Sequence, residues 1–362
     1  MHVALSSLPG MDTGAPGSRA SLKHVAERAG VSVKTVSNVV NGYLHVTAGT
    51  RARVQQAIDE LNYRPNLAAR QLRQGRSDVI ALALPELDLP YFAELARSVI
   101  KCAEEKGWTV LIDQTDGLAE REQLVLDGIR GRLIDGLILS PIALGAAELE
   151  RRRDTTPLVL LGERVFDGPA DHVAIDNVAA ARAATAHLVD IGRTRIAAIG
   201  AQPQPSSETA HLRLRGYQEA LAEAGLPARP EWVAEVDQYH RADGAAAMRR
   251  LLDLPEPPDA VFCFNDLMAL GALREAHDHG IRVPEDLAVV GWDDIEDGRY
   301  STPTLTTISP DKQKIASVAV EFLAARLVSG SEPPHEVTAP FTLVVRESSG
   351  GRRDRAPGAA SA

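Results

Sequence analysis

From residue 78 to residue 348 the chain alternates short apolar runs with amphipathic stretches, an alternation that leaves few folds open. The runs at 79–84, 109–112, 136–139, 158–161, 173–175, 196–199, 260–264 and 287–290 are apolar at successive positions. Both faces of each must be covered, which is the pattern of parallel strands buried beneath helices. Helical patterns lie between most of them, at 92–106, 178–190, 215–224, 267–279 and 314–329. Many helical stretches stop at a glycine, as at Gly107, Gly192, Gly225, Gly280 and Gly330. Eight strands are too many for one half-sheet and predict two doubly wound α/β lobes.

A length of 362 residues allows two or three domains. With 44% hydrophobic and 24% charged residues the chain is globular rather than disordered, and with only 4% aromatic its core is aliphatic. Cys102 and Cys263 lie in apolar runs far apart and read as buried, reduced thiols, which excludes a disulfide framework or a cysteine metal cluster. The opening MHVALSSLPG lacks a basic region and a long apolar run, so no secretory signal is expected. No window of about 18 apolar residues suggests a membrane span, and a cytoplasmic protein is expected. There is no GxSxG, Walker loop, GxGxxG or HExxH, and His and Glu are scattered without metal-ligand spacing. No catalytic residue, cofactor or metal is therefore expected.

The charge is divided. Residues 1–77 hold ten Lys and Arg and four Asp and Glu, a balance of +6, which leaves −16 for the rest of a chain whose net charge is −10. A small basic head on a large acidic body suits a nucleic-acid module joined to a ligand-binding domain, although charge alone leaves open a basic start with no partner. Residues 21–41, SLKHVAERAGVSVKTVSNVVN, carry a more specific signal. Leu22, Val25, Ala26 and Ala29 share one helical face behind the N-cap Ser21. Gly30 allows a sharp turn, Val31 fills the space between two helices, and Ser32 caps the second. There Val36, Val39 and Val40 face inward, leaving Val33, Lys34, Thr35, Ser37, Asn38 and Asn41 outside. A short polar-faced helix after a tight turn is the element that enters a major groove. A third helix, starting near Thr47 or Thr50, buries Val54, Ile58 and Leu61.

VAERAGVSVKTVSNVVNG, followed by TRARVQQAIDELNYRPNLAARQLR, resembles the DNA-binding head and hinge of the lactose-repressor/galactose-repressor family. HLVDIGRTRIAAIG, RLRGYQEAL, FCFNDLMALGAL, VPEDLAVVGWDD and TPTLTTI then follow in the family's order, so the resemblance covers nearly the whole chain. It implies an all-α helix-turn-helix head over 21–65, joined by a hinge helix and linker over 66–77 to a core over 78–348. That core would be a two-lobed, periplasmic-binding-protein-like, doubly wound α/β domain that binds an effector and dimerises. Residues 1–20 and 349–362, rich in Gly, Pro, Ser and Ala, read as a disordered lead and tail.

The resemblance also implies roles. Val33, Lys34 and Asn38 match positions that read bases; the third is commonly Arg or His, and Asn bonds adenine where Arg favours guanine. Ser32, Thr35, Ser37, Asn41 and His45 match positions that touch the DNA backbone, which fix register without reading sequence. Leu72, closing the hinge sequence NLAARQL, matches a leucine that wedges into the minor groove and bends the duplex. In the core, ligands are expected at the carboxyl ends of the strands. Arg213 matches an arginine that forks onto ligand oxygens, while Arg215 reads as a surface residue. Asp293, after LAVVGW, matches a ligand-bonding aspartate, and Trp292 either stacks on a sugar face or packs under the lobe. Asn265 reads as a ligand contact and Asp266 mainly as a helix cap. Tyr91 and Phe92 lie in Asp-Leu-Pro-Tyr-Phe, where Leu89, preceded by Asp88, replaces the family's usual Asn. Asp176, beside Asn177, is a contact or simply a cap; Arg164 and Tyr239 complete the set.

The function so implied is that of a homodimeric, sequence-specific transcriptional repressor controlled by a small-molecule effector, a sugar. Its operator would be pseudo-palindromic, with half-sites ~10 bp apart. A nucleobase or nucleoside corepressor is the alternative. A sugar-binding protein with no regulatory role is more distant, since it would need a leader and no basic head. The tail lacks leucine heptads, which favours a dimer over a tetramer, and no membrane partner is implied.

Overall fold

The structure, a computed structural model, describes residues 20–40, 43, 45–63, 76–128, 133–204, 206–329 and 333–351. The expectations for most of the lead, for Asn41, for the hinge at 66–72 with Leu72, and for the tail beyond 351 lie outside the described residues. The chain divides into two compact units, Met1–Ser77 and Asp78–Ala362.

Among the described residues of the first unit the helices are Leu22–Ala29, Val33–Val40 and Ala48–Glu60. Ser21 and His24 form a reciprocal capping box on the first. Gly30 ends that helix at φ +66°, a left-handed conformation that a Cβ disfavours. The hydroxyl of Ser32 accepts from the Thr35 amide at 3.1 Å, and that of Thr47 from the Thr50 amide at 3.4 Å, so each later helix starts on a side-chain cap. Val25, Val36 and Val54 are fully buried at the centre, joined by Ala26, Ala29, Val39, Ala57 and Tyr63. Ile58 and Leu61, expected in this core, are only partly buried against it.

The second unit contains two six-stranded sheets. Sheet one is built from β1 (Val79–Leu84), β2 (Thr109–Gln114), β3 (Gly136–Leu139), β4 (Leu158–Leu161), β5 (Asp171–Ile175) and β11 (Glu336–Ala339), in the order β11-β5-β4-β3-β1-β2. Sheet two holds β6 (Ile196–Ala201), β7 (Val233–Glu235), β8 (Ala260–Cys263), β9 (Ala288–Trp292), β10 (Thr306–Pro310) and β12 (Phe341–Val344), in the order β12-β10-β9-β8-β6-β7. All pairings are parallel except that of β10 with β12. Strand β1 shows why its run must be apolar throughout. Ile80, Leu82 and Leu84 enter one core layer and Ala81 and Ala83 the layer on the opposite face. Each large side chain so buried contributes about 1.5–3 kcal/mol.

The chain passes between the lobes three times, after β5, after β10 and between β11 and β12. The second passage leads into helix Lys312–Ser329, which packs on helix Pro90–Glu105 and on sheet one. Twelve strands occur among the described residues where the sequence predicts eight, because β7, β10, β11 and β12 are short or carry polar residues. Helices Ala119–Leu126, Ala146–Glu150, Arg241–Leu252 and Glu296–Tyr300 join those the sequence predicts. In the third of these, Gly244 interrupts the apolar periodicity for a packing reason. A Cβ there would overlap the Met268 carbonyl oxygen of helix Asp266–Asp278, and a Cβ on Gly271 would overlap the Arg241 carbonyl oxygen. The two helices therefore touch backbone to backbone.

Candidate functional site

A cleft of about 460 Å³ opens where the carboxyl ends of both sheets meet, the position at which parallel α/β sheets bind ligands. Segments after β1, β2, β3 and β4 line one wall and segments after β6, β7, β8 and β9 the other. Arg213, on helix Glu208–Glu223, reaches in from the second lobe and is 8% exposed. Its Nε donates to Asn177 Oδ1 at 2.8 Å and its Nη1 donates to the Phe264 carbonyl. Its guanidinium lies 3.9 Å above the Trp292 ring, which is fully buried beneath it. Trp292 thus packs under the arginine. Asn177, the neighbour of Asp176, orients Arg213.

Asp293 follows Trp292 with 9% exposure and lines the cleft. Burial pushes its carboxyl up to about 7. Arg213 and Lys312 pull in the opposite direction, while Glu94 and Glu163 add to the rise. The adjacent Asp294 turns away from the cleft, where Arg346 at 2.6 Å, Arg299 at 2.8 Å and Ser309 at 3.1 Å engage its carboxylate. Asn265 caps helix Asp266–Asp278, its Oδ1 accepting from the Met268 amide at 2.9 Å and its Nδ2 donating to the Tyr239 carbonyl at 2.8 Å. Asn265 lines the cleft as well, so only the expectation for Asp266 is corrected. Asp266 is no cap but a fully buried carboxyl that accepts from Thr307 Oγ1 at 2.7 Å and from the Ile295 amide at 3.0 Å.

Tyr91, Phe92, Arg164 and Tyr239 also line the cleft. The two rings of Tyr91 and Phe92 meet edge to face at 5.2 Å. The Tyr239 hydroxyl donates to the Gly200 carbonyl at 2.7 Å, so it serves the wall as well as facing the cavity. Arg164 Nη2 donates to the Ala143 carbonyl at 3.3 Å, and its Nε is buried with no hydrogen-bond partner among the described residues. Two candidates fall elsewhere. Asp88 is exposed and outside the lining, and Asp176 is exposed at the start of helix Asn177–Asp190, where it accepts from the Ala179 amide at 2.9 Å. Glu163 was missed by sequence reading. It lines the cleft and accepts from Thr209 Oγ1 at 3.1 Å, bridging the two lobes.

In the first unit, Val33 and Lys34 are exposed on the first turn of the second helix, and Asn38 is half-buried one turn on from Lys34. Ser37 and Thr35 are half-buried on the same helix, and His45 is exposed beyond it. The hydroxyls of Ser32 and Thr35 share a hydrogen bond of 2.8 Å. Among the described residues, no helix is long and apolar enough to cross a membrane.

Comparison with known proteins bears on both units. Residues 21–66 match a sequence profile of bacterial regulatory proteins of the lacI family, and residues 185–349 match a periplasmic binding protein-like domain. The ribose operon repressor of Escherichia coli (strain K12) is 35% identical over 311 residues, 85% of this chain and 93% of that protein. The lac repressor dimer solved with operator and the anti-inducer ONPF superposes with a TM-score of 0.80 at 30% identity, over 92% of this chain and 99% of that one. The transcriptional regulator CelR, solved with cellobiose, gives 0.66 at 33% identity over 91% of this chain and 100% of that one. Matched in both its head and its core by regulators of one kind, the chain belongs to the lacI family of bacterial regulatory proteins, which are DNA-binding transcription regulators and not enzymes.

Proposed function

We propose that this regulator is a homodimeric repressor acting in the cytoplasm, whose hold on a pseudo-palindromic operator is set by a sugar bound between its lobes. The observation that carries the sugar is the Arg213–Asp293 pair. A planar guanidinium and a buried carboxyl in one cleft supply fixed donors and acceptors for neighbouring hydroxyls. The cavity, about 460 Å³, is of the size that holds small ligands. The cellobiose complex of CelR and the ribose operon repressor's name point the same way for relatives. Asn265, Arg164, Tyr239, Tyr91, Phe92 and Trp292 would complete the wall. A nucleobase is the second reading, favoured by the Tyr91–Phe92 ring pair on which a flat base could lie.

On DNA, Val33, Lys34 and Asn38 would meet base edges, and Ser32, Thr35, Ser37, Asn41 and His45 the backbone. Leu72 would be the minor-groove wedge. The proposed limits are a head over 21–65, a hinge over 66–77 and a core over 78–348.

Calorimetric titration with a panel of pentoses, hexoses and disaccharides, beside a panel of purines and nucleosides, separates the two ligand classes. For a sugar, the ionised Asp293 accepts hydroxyl hydrogen bonds that its protonated form accepts less well, so binding releases a proton. Affinity is therefore expected to rise from pH 6 to pH 8, by at most about tenfold, through the Asp293 value of about 7, and then level off. The Asp293→Asn protein is expected to show a flat profile. Saturable binding of a purine and of no sugar would overturn the sugar reading.

A further inference from the structure

Asp293 and Asp294 are consecutive non-glycine residues with φ of +115° and +50°. Left-handed backbone is costly for residues bearing a Cβ, and two in succession persist only where their surroundings hold them. Their amides bond to β10 and the Asp294 carboxylate to Arg346, Arg299 and Ser309, while their two carbonyls share one further partner from outside the strand. Lys312, the first residue of helix Lys312–Ser329, donates from Nζ to the Asp293 carbonyl and, at 3.4 Å, to the Asp294 carbonyl. The same ammonium lies 2.6 Å from Glu94 Oε2 and 5.7 Å from the centre of the Tyr91 ring. Glu94 belongs to helix Pro90–Glu105 of the first lobe, and its other oxygen accepts from the Glu296 amide of the second at 3.4 Å. The pair is largely sheltered, with side-chain exposures of 12% for Lys312 and 23% for Glu94.

We propose that Lys312 is a positioning residue for the ligand cleft. From the passage between the sheets it fixes the strained dipeptide that presents Asp293 and, through Glu94, ties that dipeptide to the opposite lobe. The inference rests on the reading of the cleft as a ligand site. A ligand that engages the Asp293 carboxyl then acts on a backbone whose two carbonyls are already bonded to the inter-lobe tie. Opening the lobes strains the same bonds, so occupancy and closure share one element. Because the tie is made by protein groups alone, it can be tested without knowing the ligand.

Four consecutive amides report on it. Those of Asp293, Asp294, Ile295 and Glu296 donate to Ile308, Thr307, Asp266 and Glu94 respectively. Hydrogen exchange read by mass spectrometry on the full-length, ligand-free protein compares wild type with Lys312→Met, Lys312→Arg and Glu94→Gln. Losing charge-assisted hydrogen bonds at a sheltered site is expected to speed exchange in the 293–296 segment about tenfold or more in Lys312→Met. A several-fold acceleration is expected there in Glu94→Gln, and near wild-type exchange in Lys312→Arg, which keeps the charge. The β3 core, residues 136–139, is expected to stay unchanged. Unchanged exchange at 293–296 in Lys312→Met would overturn the proposal. So would an acceleration shared equally by β3, which marks general destabilisation, or wild-type exchange in Glu94→Gln, which removes the tie between lobes. Failure of every sugar to bind would count against the ligand reading and leave these rates as they are.

Discussion

Replacing Arg213 by alanine is expected to weaken ligand binding about a hundredfold or more while leaving operator affinity in the absence of ligand within about twofold. The first figure follows from two or more hydrogen bonds to a buried charged group at about 1.5–3 kcal/mol each. The second follows from the residue's place, since its partners Asn177, Phe264 and Trp292 all belong to the core unit. Alanine also leaves the Asn177 side chain without its donor, so some loss of stability accompanies the change. Arg213→Lys separates the two effects: it retains a cation beside Trp292 but cannot fork onto two oxygens. It is expected to fold normally and to lose most of the ligand affinity. Titrations of both variants, with ligand and with operator DNA, check this. Wild-type ligand affinity in either variant would move the ligand away from this wall of the cleft.

The largest expected loss of stability lies far from the cleft, at the amino end of β5. Asp171 is 1% exposed, and both its oxygens accept from Arg326, at 2.7 Å each. The His335 amide adds a third bond at 2.8 Å and its ring a contact at 3.2 Å. Arg326→Met removes the counter-charge and leaves a buried carboxylate, a change that costs about 3–5 kcal/mol. The pH dependence has a definite sign. Burial alone would raise the Asp171 carboxyl, but Arg326 and His335 outweigh it and hold the group below its ordinary 3.8. A carboxyl depressed in the folded state contributes stability above its unfolded value and loses it as pH falls through the folded one. Wild type is therefore expected to lose this contribution below about pH 4, whereas Arg326→Met lacks it at neutral pH and narrows the gap in acid. Denaturant unfolding at pH 7 and pH 3.5 measures both.

Much of this architecture is visible in the sequence because burial on two faces demands uninterrupted apolar residues. β1, β3, β4 and β6 are of that kind. β10 is not. Its Thr306 and Thr307 are fully buried, but they bond to the Ser349 hydroxyl and the Asp266 carboxyl, so polar residues occupy an interior strand without an apolar signature. β12 pairs on one side only and is partly exposed, which removes the demand for apolar character. The site divides in the same way. Arg213, Trp292 and Asp293 stand in motifs, but the roles of Asn177 and Glu163 depend on which loops the two sheets bring together. Asn265 and Asp266 are neighbours of similar chemistry. Only backbone direction decides that the first caps the helix and the second is buried against Thr307. Lys312 carries no motif at all; its meaning appears only with the left-handed Asp293–Asp294 backbone it bonds.

The head is expected to read a specific duplex, and the cleft to control that reading. Selection from random duplexes by the purified protein tests this most directly. It would be run without ligand, with a sugar pool and with a purine pool, followed by anisotropy titration of the winner at several salt concentrations. The expected result is one enriched pseudo-palindrome with half-site centres about 10 bp apart. Its affinity should fall steeply with salt, as phosphate contacts require, and shift when the sugar pool is present. Failure to enrich any sequence under all three conditions, with binding that is equal for every duplex, would contradict it.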